Sequence, residues 1–172
     1  CSILQGTHAM YYGYSTIIWE RKGLEFINIG ILWSFAIVSE ILLFLTIDFF
    51  FKSRYLYKAL ILCSGISFLR WALTYFIENF YILLFIQTLH GVTFALTHYI
   101  MIFFINSKLK QESRLYAQTI YYALTGGFFI TILTISCGYM FSYLQGDEGY
   151  LLMSVIAFLS FLFLIIKGKL YG

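Results

Sequence analysis

Apolar runs, each close to the length that crosses a bilayer, alternate with short polar connections along the whole chain. Six separate cleanly: Cys1 to about Trp19, about Phe26–Ile47, about Tyr55–Phe76, Phe80–Phe104, about Tyr116–Leu144 and Gly149–Ile166. A helix rises ~1.5 Å per residue and the hydrocarbon core is roughly 30 Å thick, so about 20 apolar residues span it. The pattern predicts six membrane-spanning helices, and the short connections make neighbours antiparallel. Secondary transporters are often assembled from six-helix halves, each of two inverted three-helix repeats. Segments one to three show no residue-level similarity to four to six, so such a repeat is an architectural expectation only.

The polar positions inside these runs are not scattered. In the fourth segment Gln87, His90, Thr97 and His98 interrupt an otherwise apolar helix. At about 100° per residue all four fall within a stripe roughly 100° wide, with Phe94 between them. Unpaired polar groups in hydrocarbon cost several kcal/mol each, so the stripe faces other helices or a wet cavity. The first segment repeats the pattern: Gln5, His8, Tyr12, Ser15, Thr16 and Trp19 fall at i, i+3, i+7, i+10, i+11 and i+14. One reading of such stripes is interhelical hydrogen bonding. Two matching stripes three segments apart favour a shared cavity, with His8, Tyr12, Gln87 and His90 turned to one concave face. Gly126 and Gly127 in the fifth segment are expected to permit close helix approach.

Composition supports the membrane reading. Of 172 residues, 61% are hydrophobic and 11% charged, with mean hydropathy +0.85. A soluble domain of this size carries about 25% charged residues, so that class is excluded. Cys1, Cys63 and Cys137 lie in apolar stretches without CxxC or metal-ligand spacing and read as small buried hydrophobes. The chain starts at Cys1 without a basic region or small-residue cleavage site before it, which reads as a fragment rather than a signal peptide.

Charge sets the expected orientation. Eight of eleven basic residues fall on one side: Lys52, Arg54 and Lys58; Lys108, Lys110 and Arg114; Lys167 and Lys169. The alternate connections carry only Arg21 and Lys22, beside Glu20, Glu25, Glu78, Asp147 and Glu148. The positive-inside rule then places both ends in the cytoplasm.

The remaining basic residue, Arg70, lies inside the third segment, and Glu40 is the one carboxylate inside a segment. Intramembrane ionisable groups mark functional sites by default, because an unpaired one costs at least ~2.5–3.5 kcal/mol. One of each sign suggests mutual compensation, either as a static pair that fixes packing or as a pair that rearranges during transport. Arg70 and His90 sit about 21–23 Å from the cytoplasmic ends of their helices and Glu40 ~10–13 Å, a difference a long arginine side chain has to bridge, and Arg70 is expected to point inward and contact Glu40 directly or through His90. The candidate substrate and proton pathway comprises Glu40, Arg70, His90, Gln87, His8, Gln5, Tyr12 and His98; His90 also reads as a packing residue, and His98, nearer the cytoplasmic end, as a structural one.

No phosphate-binding loop, HExxH, His-box or Ser-His-Asp set at one depth is present, so neither a cofactor nor a metal is expected. Nothing points to nucleic acid.

The stretches QTLHGVTFALTH (Gln87–His98), QGTHAMYYGYSTIIW (Gln5–Trp19), SEILLF (Ser39–Phe44) and LRW (Leu69–Trp71) resemble the C-terminal half of major facilitator superfamily transporters. The branch they resemble is that of 3-phenylpropionate and nucleoside proton symporters, a neighbour of the lactose permease group. The resemblance covers essentially the whole chain as helices seven to twelve. It implies an all-α membrane fold of two inverted three-helix repeats, with helices seven and ten lining the substrate path. In the lactose permease group a helix-eight Glu, a helix-nine Arg and a helix-ten His form the polar core, and the resemblance puts Glu40, Arg70 and His90 there. Thr93 replaces that group's second acidic residue, and Gln87 its lysine before the His. Asp48, Lys52 and Arg54 match the superfamily's acidic-basic loop motif without its glycine.

The reading is a non-enzymatic, six-helix half of a proton-coupled symporter for a small organic solute: an aromatic acid, a nucleoside or a sugar-like molecule. Its partners are solute, protons, the bilayer and the transporter's N-terminal half. Two alternatives stay open, a structural or assembly subunit and an intramembrane His/Glu enzyme. The enzyme would need His–Glu separations under ~5 Å without Arg70 nearby.

Overall fold

The computed structural model describes residues 1–144 and 146–171, with side chains described through 168. The described residues form helices and connections, without a strand. Five helices are long and apolar enough to cross a membrane: Phe26–Phe50, Ser53–Phe76, Phe80–Lys108, Gln111–Tyr143 and Gly149–Gly168. We label them α2 to α6. The first segment, α1, is two pieces, Ser2–Gly6 and Ala9–Arg21. Six apolar segments are therefore present, the first of them interrupted.

The interruption at Thr7 and His8 has a local cause. The Thr7 hydroxyl donates back to the Leu4 carbonyl at 2.6 Å, and His8 Nδ1 lies 3.1 Å from the Gln5 carbonyl. The His8 amide also donates to Gln5, three residues back. Side chains that bond the preceding turn compete with i→i−4 pairing, and the turn tightens. In α4 the disturbance takes the opposite form. Gly91–Leu96, directly after His90, is wound as a π-helix. A second wide turn occupies Ala123–Phe129 of α5.

Helix pairing follows a symmetric scheme. α1 packs on α5, α2 on α4, and α3 along α6. Exchanging each helix with the one three places on leaves this scheme unchanged, as two inverted triplets require. The two crossings share a device. A Cβ on Gly6 would lie 2.7 Å from Phe129 Cβ, and one on Gly91 would lie 2.7 Å from the Ser39 carbonyl oxygen. Each glycine lets a helix touch its partner beside a histidine, His8 or His90.

The α3–α6 pair forms the rear of the bundle. Ser154 Oγ donates to the Phe68 carbonyl at 3.0 Å, and Tyr57 OH to that of Leu164 at 2.5 Å. Large apolar side chains such as Leu42, Leu45 and Phe49 on α2 stay exposed, the surface expected against lipid. At one end Lys22 Nζ reaches Asp147 at 2.8 Å and Glu78 at 3.7 Å, so the three acidic connections converge there. The two described basic connections lie at the other end, while the Lys169 side chain is outside the described residues.

Candidate functional site

The centre of the bundle is set by α3. Cys63, Ser64, Ser67, Arg70, Trp71 and Thr74 fall on one helical face and are buried, while Leu62, Leu69, Leu73 and Phe76 point outward. Small and hydroxylated side chains along this stripe let neighbours approach Arg70, which is fully buried.

Its guanidinium is cradled from two other helices. Nη1 lies 2.8 Å from His90 Nδ1, 2.8 Å from Thr93 Oγ1 and 3.4 Å from His8 Nε2. Nη2 donates to Gln87 Oε1 at 3.1 Å. The Trp71 and Tyr11 rings flank the guanidinium carbon at 4.5 and 4.9 Å, a cation–π arrangement. Trp71 is itself fixed by donating to Thr7 Oγ1 at 2.9 Å, within the break in α1.

Glu40 enters at the far side of His90, with Oε1 2.7 Å from Nε2. Arginine only donates, so Nδ1 must present its lone pair to Nη1. Nε2 therefore carries the hydrogen and donates to the carboxylate. His8 obeys the same logic: Nδ1 donates to the Gln5 carbonyl and Nε2 turns its lone pair toward Arg70 and Thr93, 3.3 Å away. In this state both imidazoles are neutral, and one of them separates a buried cation from its carboxylate. Among the described residues no carboxylate touches Arg70 directly. Of the two contacts expected between Arg70 and Glu40, direct or through His90, the structure has the second, and the His90 ring spans their difference in depth.

Beside this network a cleft of about 540 Å³ opens between α1, α2, α4 and α5. Tyr12, Phe44, Phe94, Tyr121 and Tyr122 line it, with Gln5, His98 and Thr125 as polar wall residues. Two of its rings also belong to the network. Phe94 stacks on His90, centroids 5.2 Å apart and planes 10° apart, and Tyr12 OH lies 3.4 Å from His90 Nε2. Gln5 Nε2 donates to the Phe94 carbonyl at 2.9 Å, tying α1 to the wide turn of α4.

The expected common concave face is thus divided. His8, Gln87 and His90 are buried around Arg70, and of the four residues placed on that face only Tyr12 lines the cleft. The cause is the guanidinium, whose donors draw in the surrounding acceptors. Gln5 and His98 lie at the cleft, where His98 Nδ1 meets Tyr121 OH at 3.3 Å. Asp48 accepts from Tyr99 of α4 at 2.7 Å, while Arg54 donates to Tyr55. Gly126 and Gly127 do not mediate close packing: a Cβ on either meets nothing within 4 Å.

Thr93, Thr7 and Trp71 were not assigned site roles from sequence. Thr93 carried a signal in the resemblance, standing where the lactose permease group has its second acidic residue, whereas Thr7 and Trp71 had only position, Trp71 adjacent to Arg70. The geometry set for an enzyme is not met, because the close His90–Glu40 pair has Arg70 on its other nitrogen. No trio of His, Cys, Asp or Glu placed to hold a metal occurs among the described residues.

The chain is 30% identical over 155 residues to the "Probable 3-phenylpropionic acid transporter" of Escherichia coli (strain K12), covering 90% of the chain and 40% of that protein. It is 26% identical over 148 residues to the "Uncharacterized transporter YwbF" of Bacillus subtilis (strain 168), covering 86% of the chain and 37% of that protein. The chain thus spans about two fifths of these relatives' length. No solved structure matches it. The model of the MFS_1 like family matches residues 1–152. A match across most of an all-helical chain, with helices paired as two inverted triplets, makes this integral membrane protein a member of the MFS_1 like family of major facilitator superfamily transporters.

Proposed function

We propose that the chain is the C-terminal six-helix half of a proton-coupled symporter for a small organic solute, seated in the cytoplasmic membrane with both ends inside. The observation that carries this reading is the interposed imidazole: Arg70 to His90 Nδ1 at 2.8 Å and His90 Nε2 to Glu40 at 2.7 Å. A pair meant only to hold helices together gains most from direct contact, since burying two charges apart forfeits attraction while keeping the desolvation cost. An imidazole between them can take up a proton on Nδ1 once Arg70 lets that nitrogen go. Glu40 retains 22% side-chain exposure and is the group open to protonation. Its protonation removes the charge that balances Arg70, so the buried guanidinium has to find another partner and the helices carrying its cradle have to move. Cleft occupancy reaches the same histidine through Phe94 and Tyr12. Alternating access would then be the rocking of this half against the N-terminal half about the shared cleft.

The test is uptake by the full-length transporter in liposomes under an inside-alkaline pH gradient, with 3-phenylpropionate, a nucleoside and a disaccharide as candidate solutes. The expected result is accumulation of one of them that a protonophore collapses, with solute exchange surviving. Accumulation that ignores the pH gradient would discard proton coupling.

A further inference from the structure

The cleft beside the Arg70 network has a composition that selects for one kind of occupant. Tyr12, Phe44, Phe94 and Tyr122 present ring surface to it, and the described wall residues include no lysine or arginine. Its volume, about 540 Å³, lies within the roughly 300–1,000 Å³ of small-molecule sites. Hydrogen-bonding groups on the wall, His98 and Gln5 among them, make it a poor surface for lipid tails.

The opening exists because side chains are missing from one wall. Gly126 lies in the wide turn of α5, where a Cβ would meet nothing within 4 Å. Tyr122, the residue just before that turn, is 54% exposed. Phe94, on α4, stacks on the His90 ring.

We propose that this cleft seats a flat aromatic ring of the transported solute between Phe94 and Tyr122, with Gly126 setting its depth and the solute's charged group lying outside it. Aromatic pairs gain from offset or edge-to-face packing beyond area alone, so a wall lined by aromatic rings favours an aromatic ring over a saturated one of the same size. The ring would then sit one side chain from His90. This inference rests on the transporter reading, and its test separates the two.

Binding to the purified full-length transporter is measured by calorimetry with 3-phenylpropionate and 3-cyclohexylpropionate, in wild type, Gly126→Leu, Gly126→Ala, Tyr122→Leu and Tyr122→Phe. Wild type is expected to prefer the aromatic acid by about 3–10-fold. Gly126→Leu is expected to weaken aromatic binding by about tenfold or more, since it fills the floor, with Gly126→Ala intermediate. Tyr122→Leu should abolish the preference and Tyr122→Phe keep it, which preserves the test if Gly126→Leu fails to fold. Equal affinity for the two acids, absence of aromatic binding, or aromatic affinity untouched by Gly126→Leu and Tyr122→Leu would each overturn the site. The last result would place side chains of the remaining half in the cleft instead. Transport in liposomes decides the other question. A solute accumulated without regard to these variants would reject the ring site and keep the transporter, whereas ring binding without any transport would reject the transporter and keep the site.

Discussion

Lys22 and Arg70 are cations held in opposite ways. Lys22 sits at one end of the bundle, where Nζ meets Asp147 at 2.8 Å, Glu78 at 3.7 Å and the Tyr75 carbonyl at 3.4 Å. Its side chain and that of Asp147 remain 17% exposed, so water shares the solvation of both charges. Arg70 has no such relief and no direct carboxylate among the described residues, only uncharged acceptors on α1 and α4. The contacts of Lys22 tie three connections together, a structural task that direct pairing performs well. Those of Arg70 leave its charge balanced at one remove, through the neutral ring of His90. A fold that needed only glue at its centre could have used the arrangement at its rim.

The largest expected effect follows from that contrast. Arg70→Met strips the cation from a site built of lone pairs and leaves Glu40 without its counter-charge. Breaking one side of a buried pair costs about 3–5 kcal/mol, so thermal unfolding of the full-length transporter should fall sharply and uptake should vanish. Adding Glu40→Gln removes the second charge and should recover most of the stability, because replacing both partners is often near neutral. If the network couples protons, this double variant exchanges solute but fails to accumulate it under a pH gradient. Full pH-driven accumulation by the double variant would reduce the network to helix packing.

A milder change sharpens the same question. His90→Gln offers Arg70 an amide oxygen and Glu40 an amide hydrogen, so both contacts have a replacement, but glutamine does not titrate. Folding and exchange should be near wild type, and uphill accumulation should be lost. If accumulation and its pH dependence persist, Glu40 alone carries the proton and His90 is a spacer.

Much of this was legible in the sequence. Hydropathy located six segments because lipid imposes a length on every span. The pairing of Glu40 with Arg70 was accessible because so few charged groups lie inside those segments, and the family resemblance added His90 to them. The break at His8 was not, since back-bonding by Thr7 and His8 depends on side-chain geometry that helical periodicity ignores. Periodicity also assigns a residue to a face and not to a neighbour. A stripe about 100° wide on α4 therefore divided, with Gln87 and His90 turned to Arg70 and His98 to the cleft. Gly126 was misread for a related reason: a missing side chain marks close packing in one setting and open space in another, and only the neighbouring helix decides which.

The smallest expected effect belongs to the rim. Lys22→Met removes the contacts to Asp147 and Glu78 while leaving both carboxylates able to reach water. Pairs of this kind contribute about 0–1 kcal/mol and are screened by salt. The unfolding temperature should move by no more than a few degrees, with the difference shrinking as ionic strength rises. Solute exchange and pH-driven accumulation should match the wild type, because no atom of Lys22 touches the Arg70 cradle or the cleft. Loss of accumulation with exchange intact would mean that the rim takes part in coupling. The division between a structural cation at the end of the bundle and a working one at its centre would then have to be abandoned.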